Sequence, residues 1–394
     1  MEIANPKKVE LIKKVSKVFS IFYHTKKQAE KIDIENTKEI VVFDPSLIGD
    51  MVMIIPFFQV LRDNFKNAKI TFVCAKPGEI ILKDTNLIDE FIICNGAKSF
   101  LSIKNIIKDF KHLKNVLKEV NKKEYDIAIE PRGDFRYIYF MHFMKAKRKI
   151  SFNYSGGECF LTDVIDMPSN YKTSHITDDK LYLLEKMGLI RGKIEINPIL
   201  PITEEMKQMK EEFIKKNKLE GYKIIGIHPG AREKIRRYEK FDEVLENINS
   251  KLEKVAFLVY EGVNEEKEVQ KVLEGAKKCN AKVFHMKADL AGYLKNITYS
   301  DAIICNDSSA GHIANGYKIP TTVIYGPVNP EGIRPYNNTT AVLNCVSIPL
   351  PCKPCYSAGV CPNEDYKCFN KINVEDIANL VIESINGENK KCQK

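Results

Sequence analysis

Short apolar runs alternate with amphipathic stretches along almost the whole chain. Ile40–Phe43, Ile70–Cys74, Phe91–Cys94, Asp126–Glu130 and Lys149–Phe152 are brief and rich in β-branched and aromatic residues. Runs of that length without polar alternation predict strands buried on both faces of a parallel sheet. Between them the period changes to that of a helix: Met51 through Phe65, a long stretch with Ile103, Ile106, Phe110, Leu113, Leu117 and Val120 on one side, and Asp178–Met187. Two prolines in Asn197-Pro198-Ile199-Leu200-Pro201 interrupt the rhythm. It restarts with a helix over Glu204–Lys218, then strand Ile224–His228, helix Phe241–Leu252, strand Val255–Tyr260, helix Glu265–Ala276, and strands at Val283–Met286, Ala302–Cys305 and Thr321–Tyr325. Strands alternating with helices predict an α/β chain of two doubly wound, Rossmann-like domains, 37–200 and 201–394. Sheets of that kind take ligands at the carboxyl ends of their strands.

Residues 1–36 precede this rhythm and read as a basic amphipathic extension. Asn5-Pro6 suits a helix start, and Leu11, Val15, Val18 and Phe22 recur at helical spacing with Ile12 and Phe19 flanking them. Over residues 1–31 eight lysines (7, 8, 13, 14, 17, 26, 27, 31) stand against three glutamates (2, 10, 30), a net charge of +5. Such a helix either packs on the protein's own body with a solvated lysine face or lies on an anionic membrane surface.

Composition narrows the function classes. A length of 394 residues suits two domains, and 44% hydrophobic residues can build two cores. The net charge of +9 is spread over lysine-rich helices with no nucleic-acid motif, which points away from nucleic acid and towards a small anionic substrate or an anionic surface. There is no apolar run long enough to span a bilayer and no signal-peptide pattern. The expected location is therefore cytoplasmic, where the eleven cysteines serve as core residues, free thiols or metal ligands rather than disulfides.

Polar clusters fall at the predicted strand ends. Asn306-Asp307-Ser308-Ser309-Ala310-Gly311-His312 joins a strand to a helix, and its small residues let backbone N–H groups approach a phosphate at the helix start; an ordinary capped turn has the same composition. Gly49-Asp50 opens another helix, where a carboxylate is held ionised or simply caps. His228-Pro229-Gly230-Ala231-Arg232, followed by Lys234, Arg236 and Arg237, supplies the cations that a diphosphate leaving group needs, or else a solvated basic loop. Glu261-Gly262-Val263-Asn264-Glu265 places carboxylates where they would hold ribose hydroxyls.

Taken together these stretches resemble glycosyltransferase family 9, the ADP-heptose lipopolysaccharide heptosyltransferases, over about residues 38–385. The likeness is carried by Ile48-Gly49-Asp50 with Pro56, Tyr125–Glu130, Ala146–Phe152, Gly226–Ala231, Asn306–His312, Tyr325-Gly326-Pro327 and Arg334-Pro335. It implies a GT-B fold, two Rossmann-like domains facing a central cleft, and inverting transfer of a sugar from a nucleotide diphosphate with no cofactor for catalysis. It further implies that Asp50 is the general base. Gly230, Arg232, Arg236, Glu265, Asp307, Ser308, Ser309, Ala310, Gly311 and His312 would bind the donor, with Glu265 on the ribose (Glu261 and Glu266 are the alternatives). Ser46, Gly49, Arg132, Arg136 and His175 would meet the acceptor. The expected partners are ADP-heptose, an anionic glycolipid of the cell envelope and the inner-membrane surface, to which the enzyme would be peripheral. A protein O-heptosyltransferase and a non-catalytic nucleotide-sugar-binding protein are the alternatives.

Three positions depart from the family pattern. Asp44 stands where a basic residue is usual, Arg236 replaces a phosphate-binding lysine, and Ser309 replaces a glycine. Finally, Cys352, Cys355, Cys361 and Cys368, in a Pro/Gly-containing loop spanning 345–368, have the short spacing of a structural zinc or iron site; unliganded thiols packing a loop would look the same.

Overall fold

The computed structural model describes residues 6–387 apart from 24, 26, 28–30, 96–105, 191–195, 337–341, 356–359 and 362–363. Lys26, Glu2 and Glu30 of the basic count, and Ile103 of the long helix, lie outside the described residues. The chain separates into two compact units, Met1–Ile196 and Asn197–Lys394.

In the first unit β1 (Glu39–Phe43), β2 (Lys69–Cys74), β3 (Glu90–Ile93), β4 (Tyr125–Glu130), β5 (Ala146–Phe152) and β6 (Asp163–Ile165) form one sheet in the order β3-β2-β1-β4-β5-β6. All its pairs are parallel. Its helices are α1 (Pro6–Phe22), α2 (Ile48–Met53), α3 (Ile55–Asn64), α4 (Lys76–Leu82), α5 (Ile106–Val120), α6 (Phe135–His142) and α7 (Ile176–Lys186). Val41, Phe43, Val73 and Ala128 of the central strands are wholly buried against Ile138 and Met141 of α6.

The second unit repeats the plan. Helix α8 (Glu204–Asn217) leads into β7 (Lys223–His228), α9 (Phe241–Lys251), β8 (Val255–Glu261), α10 (Glu266–Lys278), β9 (Lys282–Lys287), α11 (Leu290–Asn296), β10 (Ala302–Asn306), α12 (Ser309–Gly316), β11 (Thr321–Tyr325) and β12 (Leu343–Ser347). Helices α13 (Lys367–Asn370) and α14 (Val374–Ile385) follow. The strand order is β9-β8-β7-β10-β11-β12, again parallel throughout. Both sheets therefore run 3-2-1-4-5-6 when counted within their own unit, which is the Rossmann order.

The single helix expected from Met51 to Phe65 is two helices, broken at Ile54. Pro56 sits in the first turn of α3. It has no N–H, and its ring would collide with the carbonyl four residues back, so one continuous helix is excluded. Strands β6 and β12 escaped the sequence pattern for a different reason. They are sheet edges, one only three residues long and the other carrying Asn344 and Ser347, so neither has the unbroken apolar run of a central strand.

Candidate active site

In a 3-2-1-4-5-6 sheet the chain leaves the first and fourth strands in opposite directions, and the loops after them part to leave a crevice. In the first unit those loops follow β1 and β4. Asp44 directly follows β1 and is fully buried, Ser46 and Gly49 lie between it and Asp50, and Arg132 follows β4. One guanidinium nitrogen, Arg132 Nη1, donates to Ser46 Oγ at 2.5 Å and stands 3.5 Å from Asp50 Oδ2 and 3.9 Å from Asp44 Oδ1. Ser46 in turn donates to Asp44 Oδ1. From α7, Lys180 Nζ donates to the other Asp44 oxygen at 2.8 Å.

Burial alone would push the Asp44 carboxyl up, but Lys180 and Arg132 outweigh it and hold the group below the usual carboxylate range. Burial likewise works against the Arg132 charge, and Asp50 and Asp44 more than restore it. Two anions and two cations thus balance at this crevice. Lys180 thus brings a cation to Asp44 from another helix. Beside them Glu130, fully buried, is pushed up to about 8 by desolvation, although Gly133 N and Ser151 Oγ both donate to it at 2.7 Å.

Asp50 does not cap α2 as its N-cap. Leu47 takes that position, and Asp50, three residues on, accepts its N–H at 3.3 Å. Arg136 is committed to Asp134, the N-cap of α6. His175 is buried and N-caps α7, its Nδ1 accepting from Thr177 N at 3.1 Å. The structure thus gathers Ser46, Asp50 and Arg132 around one nitrogen and gives Arg136 and His175 local partners.

The second unit has the same plan at β7 and β10. Arg236, in a helical turn after β7, donates from Nη1 to Asp307 Oδ2 at 2.9 Å across the two strand ends. Asp307 is nearly buried, and desolvation raises its carboxyl above the ordinary value in spite of Arg236. Asn306 fastens the two loops together, accepting from Tyr238 N at 2.9 Å and donating to Pro229 O at 2.7 Å. Sequence reasoning placed Asn306 in the motif without this role, because its partners lie on the other loop.

Ser308 is the N-cap of α12, yet its hydroxyl makes no cap bond and, shut off from water, has no hydrogen-bond partner among the described residues. Ser309, Ala310, Gly311 and His312 form the first turn of that helix. At Gly311 an added Cβ would come within 2.9 Å of Val323. Glu265 just precedes α10, where its Oε2 accepts from Gly262 N at 2.9 Å and lies 3.2 Å from His228 Nε2. Burial raises this carboxyl, but His228, with the Gly262 N–H and Arg237 adding to it, outweighs burial and leaves it below its ordinary range. Tyr293 stands behind His228, its OH 3.3 Å from Nδ1. Gly230 is where the first loop passes the Glu265 carboxylate, since a Cβ there would fall 1.8 Å from its Cδ. Arg232 is exposed and pairs with its neighbour Glu233. Glu261, by contrast, faces His285 and Lys287 on β9, away from this group.

No three His, Cys, Asp or Glu side chains among the described residues are arranged to hold a metal ion. Cys352, Cys355, Cys361 and Cys368 are all unpaired thiols. They do sense one another: burial first, then Cys352 and Cys361, push the Cys355 thiol up. Cys368 is raised by burial, with Cys355 and Cys361 adding to the effect.

Comparison with known proteins gives a consistent picture. The model of glycosyltransferase family 9 (heptosyltransferase) matches residues 113–367. The lipooligosaccharide heptosyltransferase 2 of Campylobacter jejuni is 26% identical over 338 residues, covering 84% of this chain and 95% of its own. Among solved structures, a glycosyl transferase family 9 protein from Veillonella parvula superposes with a TM-score of 0.73 at 22% identity, covering 92% of this chain and all of its own. The E. coli ADP-heptose lps heptosyltransferase II gives 0.70 at 15% identity, with 89% and 99% covered. At those identities the two structures speak for the fold.

Proposed function

The chain belongs to glycosyltransferase family 9, and we propose that it transfers a heptose from ADP-heptose, with inversion, onto a lipopolysaccharide-core or related glycolipid acceptor. One observation carries this reading. At the switch point of each Rossmann unit an arginine crosses from one strand end to a carboxylate on the next, Arg132 to Asp50 and Arg236 to Asp307. A carboxylate at a strand-end crevice suits a base for an acceptor hydroxyl. A cation at a helix start suits a departing diphosphate.

In this mechanism the acceptor hydroxyl gives its proton to Asp50 as its oxygen attacks the anomeric carbon. The bond from that carbon to the phosphate oxygen breaks on the opposite face, and ADP leaves with the bonding electrons. Arg236, the Ser308 hydroxyl and the amides of Ser309–Gly311 take up the charge that develops on the diphosphate. Glu265, held ionised by His228, accepts from the ribose hydroxyls. Arg132 and Ser46 meet the anionic acceptor, and no step needs a metal. Because the acceptor is a glycolipid, the enzyme works at the cytoplasmic face of the inner membrane; among the described residues no helix is long and apolar enough to cross it.

The thiols of Cys352, Cys355, Cys361 and Cys368 would hold a structural zinc or iron if the loop draws them closer than it does here. Metal analysis of protein purified without chelator decides this: a stoichiometric ion supports the site, and a metal-free protein removes it. The central test supplies ADP-heptose and other nucleotide sugars to the whole enzyme with a lipid-linked core acceptor. Acceptor-dependent ADP release from ADP-heptose is expected. Release from a different nucleotide sugar alone would refute the donor, and release from none would refute the reading.

A further inference from the structure

Helix α1 has two faces with opposite fates. Ser16 is buried, its Oγ accepting from Gly157 N at 2.7 Å. Neighbouring Gly156, at φ +99°, leaves room for this approach, because a Cβ there would come within 2.7 Å of the Ser16 Cβ. Phe19 enters a cluster with Phe135, Tyr139 and Phe160 at ring separations of 6.1, 5.6 and 5.6 Å. Just beyond the helix Thr25 bonds to the Cys159 carbonyl through both its N–H and its hydroxyl. The helix is therefore fixed to the first unit and is not a loose tail.

The stripe beside this buried face is uncovered. Leu11, Val15, Val18 and Phe22, spaced i, i+4, i+7 and i+11, are 62, 43, 57 and 75% exposed. Ile21 joins them, and Tyr23 and Phe143, which follows α6, extend the patch: Tyr23 packs on His142 at 5.4 Å, and His142 on Phe143 at 5.1 Å. On the flank away from the protein body stand Lys13, Lys14 and Lys17, all exposed, of which Lys14 pairs with Glu10 at 3.2 Å. A patch of large apolar side chains held rigidly in water is unusual for a surface with no partner.

We propose that this face of α1, with Tyr23 and Phe143, is the surface by which the enzyme docks on a bilayer containing anionic lipids. The helix would lie in the interface plane, with Leu11, Val15, Val18 and Phe22 entering the acyl boundary and Lys13, Lys14 and Lys17 at the headgroups. Tyr and Phe rings at the rim suit that depth. A second copy of the chain fits the face less well. A two-fold interface brings each patch against itself and sets the lysine flanks of two helices close together, and lysine is depleted from protein interfaces. Docking of this kind is independent of the chemistry assigned to the strand ends.

The test uses the full chain and no substrate. Flotation is measured with phosphatidylcholine vesicles and with vesicles in which roughly one third of the lipid is phosphatidylglycerol. Binding to the anionic vesicles, weakened by salt, is expected. The variant K13Q/K14Q/K17Q should lower partition onto them on the order of a hundredfold, and V15E/V18E should abolish it. Both should retain the circular dichroism and melting of the parent, because these side chains face water. The proposal is overturned if the parent binds neither vesicle, or if the two variants bind as the parent does. It is also overturned if V15E/V18E converts a dimer into a monomer in light scattering without affecting flotation.

Discussion

Lys180 Nζ stands 2.8 Å from Asp44 Oδ2, with the two side chains 2% and 0% exposed. Charges so removed from water are tolerable only as a pair. Lys180→Met should therefore lower stability by about 3–5 kcal/mol by leaving a buried carboxylate, and replacing both partners with apolar residues should recover much of that loss. Denaturant unfolding measures both. Because the folded protein holds Asp44 below its usual range, its contribution is present at neutral pH and fades as pH falls below about 4.

Asp50→Asn keeps the shape of the group and removes its basicity. Turnover should fall on the order of a hundredfold or more, with ADP affinity unchanged in titration calorimetry. Undiminished turnover would reduce Asp50 to a residue that closes the first turn of α2.

Arg236 meets Asp307 at the helix start where a diphosphate would sit. Arg236→Met should weaken ADP binding roughly 10- to 100-fold. Arg236→Lys, a point charge without the fork, should fall between the two. Equal affinities in all three proteins would place the diphosphate elsewhere.

Gly230 is tied to Glu265 by contact. Gly230→Ala should displace the Glu265 carboxylate and weaken ADP binding at least about tenfold. In a Glu265→Ala background the same change should add little, since neighbours that share a mechanism are not additive. Full additivity of the two losses would show that Gly230 acts independently of Glu265.

Glu130 makes stability fall as pH rises. Its folded value is pushed up to about 8, whereas the unfolded chain loses the proton near 4.3. The folded state therefore holds an extra proton between those limits, and stability drops by up to a few kcal/mol from about pH 4.5 to 8. Glu130→Gln should flatten that slope in thermal melts; an unchanged slope would assign it to other groups.

Local physics made much of this legible. A central strand of a parallel sheet must be apolar on both faces, so Ile40–Phe43 and Ala302–Cys305 announce themselves, and their order in the chain implies two doubly wound units. The turn chemistry of Gly49-Asp50 and Asn306–His312 is equally local, and so is the stripe Leu11, Val15, Val18 and Phe22. Pairing across the sheet is not. The order 3-2-1-4-5-6, set by packing of the whole unit, brings Arg132 to Ser46 across 86 positions, Arg236 to Asp307 across 71, and Lys180 to Asp44 across 136. Tertiary packing alone also decided which face of α1 the body covers and which it leaves to water. Sequence determined the elements and the chemistry at their ends; the fold decided which charges meet, because contact between distant residues depends on where whole strands and helices are placed.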